Sequence, residues 1–72
     1  MSMAWIRDYY DVPVKRGGRV RYTGRGWPEL GTITGTRGAS LRVLLDGHKK
    51  SLVFHPTWKL TYLDDNGTVL WP

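Results

Sequence analysis

An all-β fold, a small barrel of about five short antiparallel strands preceded by an N-terminal arm, is predicted by three features of this sequence. Polar and apolar residues alternate in short runs, nine glycines punctuate those runs, and no window carries an apolar stripe at helical spacing. At 72 residues there is room for one core, and a chain this short buries only about 60% of the surface its unfolded form exposes. No cysteine supplies a disulfide or a thiolate metal site, so packing must do the work. Four Trp, four Tyr and one Phe provide the large side chains for it.

Residues 1–14 read as an arm packed on the barrel, because Trp5, Ile6, Tyr9, Tyr10 and Val12 are too apolar for a disordered tail. The barrel itself is expected over residues 15–72. Arg19 to Thr23 alternates with period two, which turns Val20 and Tyr22 inward and Arg19 and Arg21 outward. Leu30 to Thr34 sets two threonines around Ile33 between Gly31 and Gly35. Ser40 to Leu45 places Leu41, Val43 and Leu45 on one face and Arg42 and Leu44 on the other. Asp46-Gly47 then predicts a type I′ hairpin, with Lys49 to Phe54 as the returning strand. His55-Pro56-Thr57-Trp58 breaks that strand, since Pro56 has no N–H for a ladder; at most one helical turn fits there, with His55 capping it. Lys59 to Leu63 is extended again, and Asp64-Asp65-Asn66-Gly67 signals a turn before Thr68 to Trp71.

The order of these elements is that of SH3-like barrels, whose closure limits exposed strand edges. Gly18-Arg19-Val20-Arg21-Tyr22-Thr23-Gly24, Gly31-Thr32-Ile33 and Leu41-Arg42-Val43-Leu44-Leu45-Asp46-Gly47 resemble the KOW- and Tudor-type barrels of ribosome- and transcription-associated proteins. That likeness implies binding of nucleic acid or of modified protein tails. Over the whole chain, Tyr9 to Val20 and His55 to Leu63 are more similar to small proteins encoded in actinobacterial phages and prophages. That group has no established activity, so the likeness implies a source rather than a function. Ser51 to Pro56 is also similar to a strand of type II dihydrofolate reductase. Here Val53 and His55 replace the pore glutamine and tyrosine of that enzyme, and Val53 cannot hydrogen-bond a pterin or nicotinamide amide.

No catalytic constellation is visible. The carboxylates are scattered through turns, and His48 and His55 stand alone, with His48 beside Lys49 and Lys50. No spacing suggests the three or four ligands of a zinc site, and the glycine pairs lack a phosphate-loop context. Neither an enzyme nor a cofactor or metal is expected. The chain reads as soluble and cytoplasmic, in the host cell if phage-encoded, because no apolar run approaches the roughly 20 residues of a membrane span.

Charge is distributed unevenly. From Lys15 to Lys59 ten Lys and Arg face only Glu29 and Asp46, a balance of +8, whereas the ends set Arg7 against Asp8, Asp11, Asp64 and Asp65, a balance of −3. A basic body points to a polyanion, although it also serves solubility alone. The leading expectation is a non-catalytic module that binds DNA or RNA through phosphates with little sequence preference. Its candidate residues are Arg16, Arg19, Arg21, Arg25, Trp27, Arg37, Arg42, Lys49 and Lys50. Trp27 either stacks on an unpaired base or lies over the barrel mouth as a lid. Trp58 is assigned to the core on size. The alternative is a protein-interaction module that binds a host or virion protein through an aromatic face of Trp5, Tyr9, Tyr10, Trp27 and Trp71.

Overall fold

Alternation along the chain becomes one antiparallel sheet. A computed structural model describes residues 2–71, the side chain of Trp71 excepted. Helix α1 (Met3–Tyr10) is followed by β1 (Arg19–Tyr22), β2 (Glu29–Arg37), β3 (Ser40–Leu45), β4 (Leu52–Phe54), β5 (Leu60–Leu63) and β6 (Val69–Trp71). The six strands lie in the order β4-β3-β2-β1-β5-β6, with every neighbouring pair antiparallel. β3 shows why they form a sheet: Leu41, Val43 and Leu45 are buried, whereas Arg42 is exposed and Leu44 half-exposed. With Val20, Ile33, Leu60 and Tyr62 they build the core.

The sheet bends sharply. β4 lies three strands from β1, about 14 Å away in a flat sheet. Yet the rings of Phe54 and Tyr22 meet at 4.4 Å between centroids. The register shift in β2 between Ile33 and Gly35 supplies a bulge at which such a sheet turns. Against the expected closed barrel, β4 and β6 are the outer strands of the order, and the sheet stays open. Two local causes account for this. Pro56 ends β4 after three residues, and the run after the Asp64–Gly67 turn pairs as a sixth strand along β5.

Two further expectations are corrected and one is met. The amino-terminal segment contains a helix, capped at Ser2, whose Oγ accepts the Trp5 N–H at 3.1 Å. Ile6 is its buried residue, with Met3 and Tyr10 packed half-buried on the same side; positions 3, 6 and 10 form a stripe too short to stand out in the sequence. Eight residues are marginal as a free helix, so docking of Ile6 with Val12 and Val14 on the core is what holds it. The segment from Pro56 to Lys59, where at most one helical turn was expected, is a turn and bend, and His55 caps it, its Nδ1 accepting the Thr57 N–H at 3.1 Å. Asp46-Gly47 does not form a type I′ hairpin. Only Gly47 of the two has positive φ, and residues 46–51 make a six-residue loop at whose start the Asp46 N–H still donates to the Leu30 carbonyl at 2.8 Å, continuing the β2–β3 ladder.

The turn at residues 64–67 forms as its composition suggests: Asp64 Oδ1 accepts the N–H groups of Asn66 and Thr68 at 2.9 and 2.8 Å. Tyr62 spans the core to Pro56, donating its hydroxyl to the Pro56 carbonyl at 2.7 Å. Burial disfavours the phenolate and pushes the Tyr62 pKa up, beyond the range of the ordinary group. Among the described residues, no helix is long and apolar enough to cross a membrane.

Candidate nucleic-acid interface

The face of the sheet opposite the core carries the arginines. Since side chains on β1 alternate, the inward positions of Val20 and Tyr22 leave Arg19 and Arg21 outside. Ladder register then fixes their neighbours. Arg21 lies between Leu30 of β2 and Thr61 of β5, and Arg19 between Thr32 and Leu63. Beyond the bulge Gly35 faces Arg42, which faces Val53 of β4, and Arg37 faces Ser40 at the tip of the hairpin. Arg16 precedes β1 and lays its guanidinium over Gly35, 3.7 Å from where a Cβ would stand. Arg21, Arg19, Arg16, Arg42 and Arg37 therefore follow one another along one face. Between the ladder rows of Arg21 and Arg37 the stripe covers roughly 20 Å at 3.3 Å per residue.

These arginines are not equivalent. Arg19 is held by a fork: Nη1 and Nη2 donate to the two oxygens of Asp46 at 3.0 and 2.7 Å, and Nη1 also reaches Thr32 Oγ1 at 2.8 Å. The hydrogen bonds from Arg19 hold the Asp46 carboxyl below the usual range and raise the guanidinium. Arg16 donates to the Thr34 carbonyl. Arg25 lies 3.5 Å from Glu29, whose Oε2 is buried without a hydrogen bond; the ion pair is real but poorly directed. Arg16, Arg19 and Arg25, three of the sequence's phosphate candidates, thus already make contacts within the protein. Arg21, Arg37 and Arg42 have no carboxylate partner among the described residues. Lys49 and Lys50 are exposed in the loop between β3 and β4, tethered at its end by the Thr34 and Ser51 hydroxyls, 3.0 Å apart.

Aromatic residues form two groups. On α1, Trp5 stacks on Tyr9 at 4.7 Å, and Tyr10 meets Tyr9 edge-on at 4.9 Å and His55 at 5.3 Å. At the end of β1, Tyr22 lies between Phe54 and Trp58. Assignment of Trp58 to the core is corrected, for it is 54% exposed. Its turn brings only one part of the indole against Tyr22 and Gly24. Gly24 is required by that contact: a Cβ there would lie 2.1 Å from Tyr22 Oη and 2.7 Å from Trp58. Trp27 is 58% exposed, so it is no buried lid. The Trp71 side chain, a candidate in the protein-binding face, lies outside the described residues. Trp58 could not be found from composition, because only its place after a Pro56 turn strips it of neighbours.

Among the described residues no three His, Asp or Glu side chains gather as metal ligands. An open cleft beside α1 is lined by Arg7, Asp8, Asp11, Val12, Pro13 and Leu70, none of them a candidate from the sequence. Its two carboxylates repel an anion, which leaves the arginine face as the surface with a chemical preference. No protein-family model, curated protein or solved structure matches the chain.

Proposed function

We infer that this protein is a non-catalytic, cytoplasmic module that binds DNA or RNA through the phosphate backbone on the arginine face. The observation that carries this reading is the set of Arg21, Arg37 and Arg42, aligned on one sheet face with no carboxylate partner among the described residues. Phosphates are the ligands such planar forks suit. Roughly 20 Å of stripe corresponds to about six steps of a nucleic acid strand at 3.4 Å each. The reading assigns these arginines to phosphates rather than to base edges, so little sequence preference is expected. An SH3-like barrel is the architecture this reading assumes. Support for it comes from the order β4-β3-β2-β1-β5, the bulged β2, the break before β5 and the closeness of Tyr22 to Phe54 across the bend.

The test is fluorescence anisotropy of labelled DNA and RNA at two salt concentrations. Three phosphate contacts predict a slope of about −2 to −3 in log K against log salt, hence roughly 20- to 40-fold weaker binding at about 200 mM than at about 50 mM salt. Absence of saturable binding at the lower salt would refute the reading.

A second reading is favoured by one observation. Tyr9 is 68% exposed while stacked on Trp5, an aromatic surface suited to a host or virion protein if the chain is phage-encoded. Tyr9→Ala would then abolish capture of that protein, whereas charge reversal on the arginine face would not.

A further inference from the structure

Two exposed indoles, Trp27 and Trp58, belong to the loops at the Tyr22 end of β1, beyond Arg21. Pairing of β1 with β5 continues past Tyr22 and Leu60, since the Thr23 N–H donates to the Lys59 carbonyl at 3.0 Å. Arg21 and Lys59 are thereby diagonal neighbours, about 7–8 Å apart along this ladder. Trp58 follows immediately, 54% exposed, with its inner part against Tyr22 at 6.2 Å between centroids. Lys59 itself takes a left-handed conformation, φ 55°, which turns the chain at this point. Trp27 leaves the facing loop, 58% exposed, just after the turn closed by the Gly26 N–H on the Thr23 carbonyl. Large indoles seldom remain this open, and two do so at the end of one cationic row. The register also brings Glu29 opposite Tyr22; Arg25 lies 3.5 Å from it and offsets its charge.

We propose that Trp58, with Trp27 beside the same end, is a stacking platform for an unpaired base, so that the ligand of the arginine stripe is single-stranded nucleic acid. This rests on the nucleic-acid reading above. Phosphates of the strand follow Arg37, Arg42 and Arg21, and a base beyond Arg21 and Lys59 lies on the exposed indole. A duplex hides its ring faces within the stack and can offer one only at its ends, so it gains the phosphate contacts alone.

Anisotropy with a labelled oligothymidylate and a blunt duplex, each of about 12 nucleotides per strand, separates the two ideas at about 50 mM salt. Wild type binds the single strand more tightly. Trp58→Ala weakens that binding by about 5- to 150-fold, the range found for loss of a stacking aromatic, and changes duplex binding by less than about twofold. Trp58→Phe keeps a ring and retains most of the affinity. Should Trp58→Ala disturb folding, tryptophan emission decides: oligothymidylate quenches the wild type, and Trp27→Phe with Trp58→Phe removes most of the quenching. Equal affinity for both ligands, or no quenching on saturable binding, overturns the platform while leaving the phosphate contacts standing. Failure of the wild type to bind either ligand removes the nucleic-acid reading itself.

Discussion

Arg16 and Arg19, on the β1 side of the stripe, differ from Arg37 and Arg42, on the β2–β3 hairpin, in what their guanidinium groups already hold. The first pair is tied down, Arg16 to the Thr34 carbonyl and Arg19 to Asp46 and Thr32. The second pair has no carboxylate partner among the described residues. All four belong to one face, yet the first pair knits loops to the sheet, and it is the second pair that the proposed function assigns to phosphate. A count of positive charge therefore overstates the binding surface. What matters is which cations the fold has already used.

This comparison can be sharpened by removing the bonds of the structural group. The largest stability effect is expected from the buried hydroxyl behind the face. Tyr62→Phe leaves the Pro56 carbonyl without its 2.7 Å donor, costing about 1–3 kcal/mol in denaturant unfolding at neutral pH. Tyr62 also gives the wild type a distinct alkaline behaviour. Its pKa is raised in the native state, so its contribution is complete below the ordinary value of about 10 and is lost as pH rises above that value. Unfolding followed from pH 8 to 11 should show the wild type weakening more steeply than Tyr62→Phe.

Next in size is the fork between strand and loop. Arg19→Ala and Asp46→Ala should destabilise non-additively in a double-mutant cycle, whereas Arg37→Ala and Asp46→Ala should add, since no contact links them. The smallest effect concerns acid. With its carboxyl held below the usual range, Asp46 contributes stability above the unfolded carboxylate pKa, and loses it as pH falls through the depressed native one. Asp46→Asn should flatten the acid limb of an unfolding titration; an unchanged limb would mean that the fork contributes nothing measurable in solution.

Much of the sheet was legible because period two is a local property. Val20 and the Leu41, Val43, Leu45 row were assigned inward by alternation, and they are buried. Alternation places a side chain on a face but says nothing about its partner there. The Arg19–Asp46 fork joins residues 27 positions apart, and Asp46 already had a sufficient reason to be present in a turn. That pairing engages the Arg19 guanidinium within the fold, while the Asp46 N–H stays on the Leu30 carbonyl and the turn is not of type I′. Helix α1 escaped for another reason, since Met3, Ile6 and Tyr10 form a single short stripe whose stability comes from the core. Trp58 was misplaced because size argues for burial while only tertiary arrangement decides it. Sheet closure was likewise beyond the sequence, being set by where β4 stops and where β6 pairs.

The account stands or falls on Arg37→Glu with Arg42→Glu, measured for oligonucleotide affinity across a salt series and for unfolding stability. Two lost phosphate contacts should reduce the magnitude of the salt slope by about 1.4 to 1.8 and weaken binding more than tenfold at about 50 mM salt. Stability should move by less than about 0.5 kcal/mol, because neither residue holds a carboxylate partner among the described residues. Binding with an unchanged slope would contradict the assignment of this face, however tight the binding proved to be.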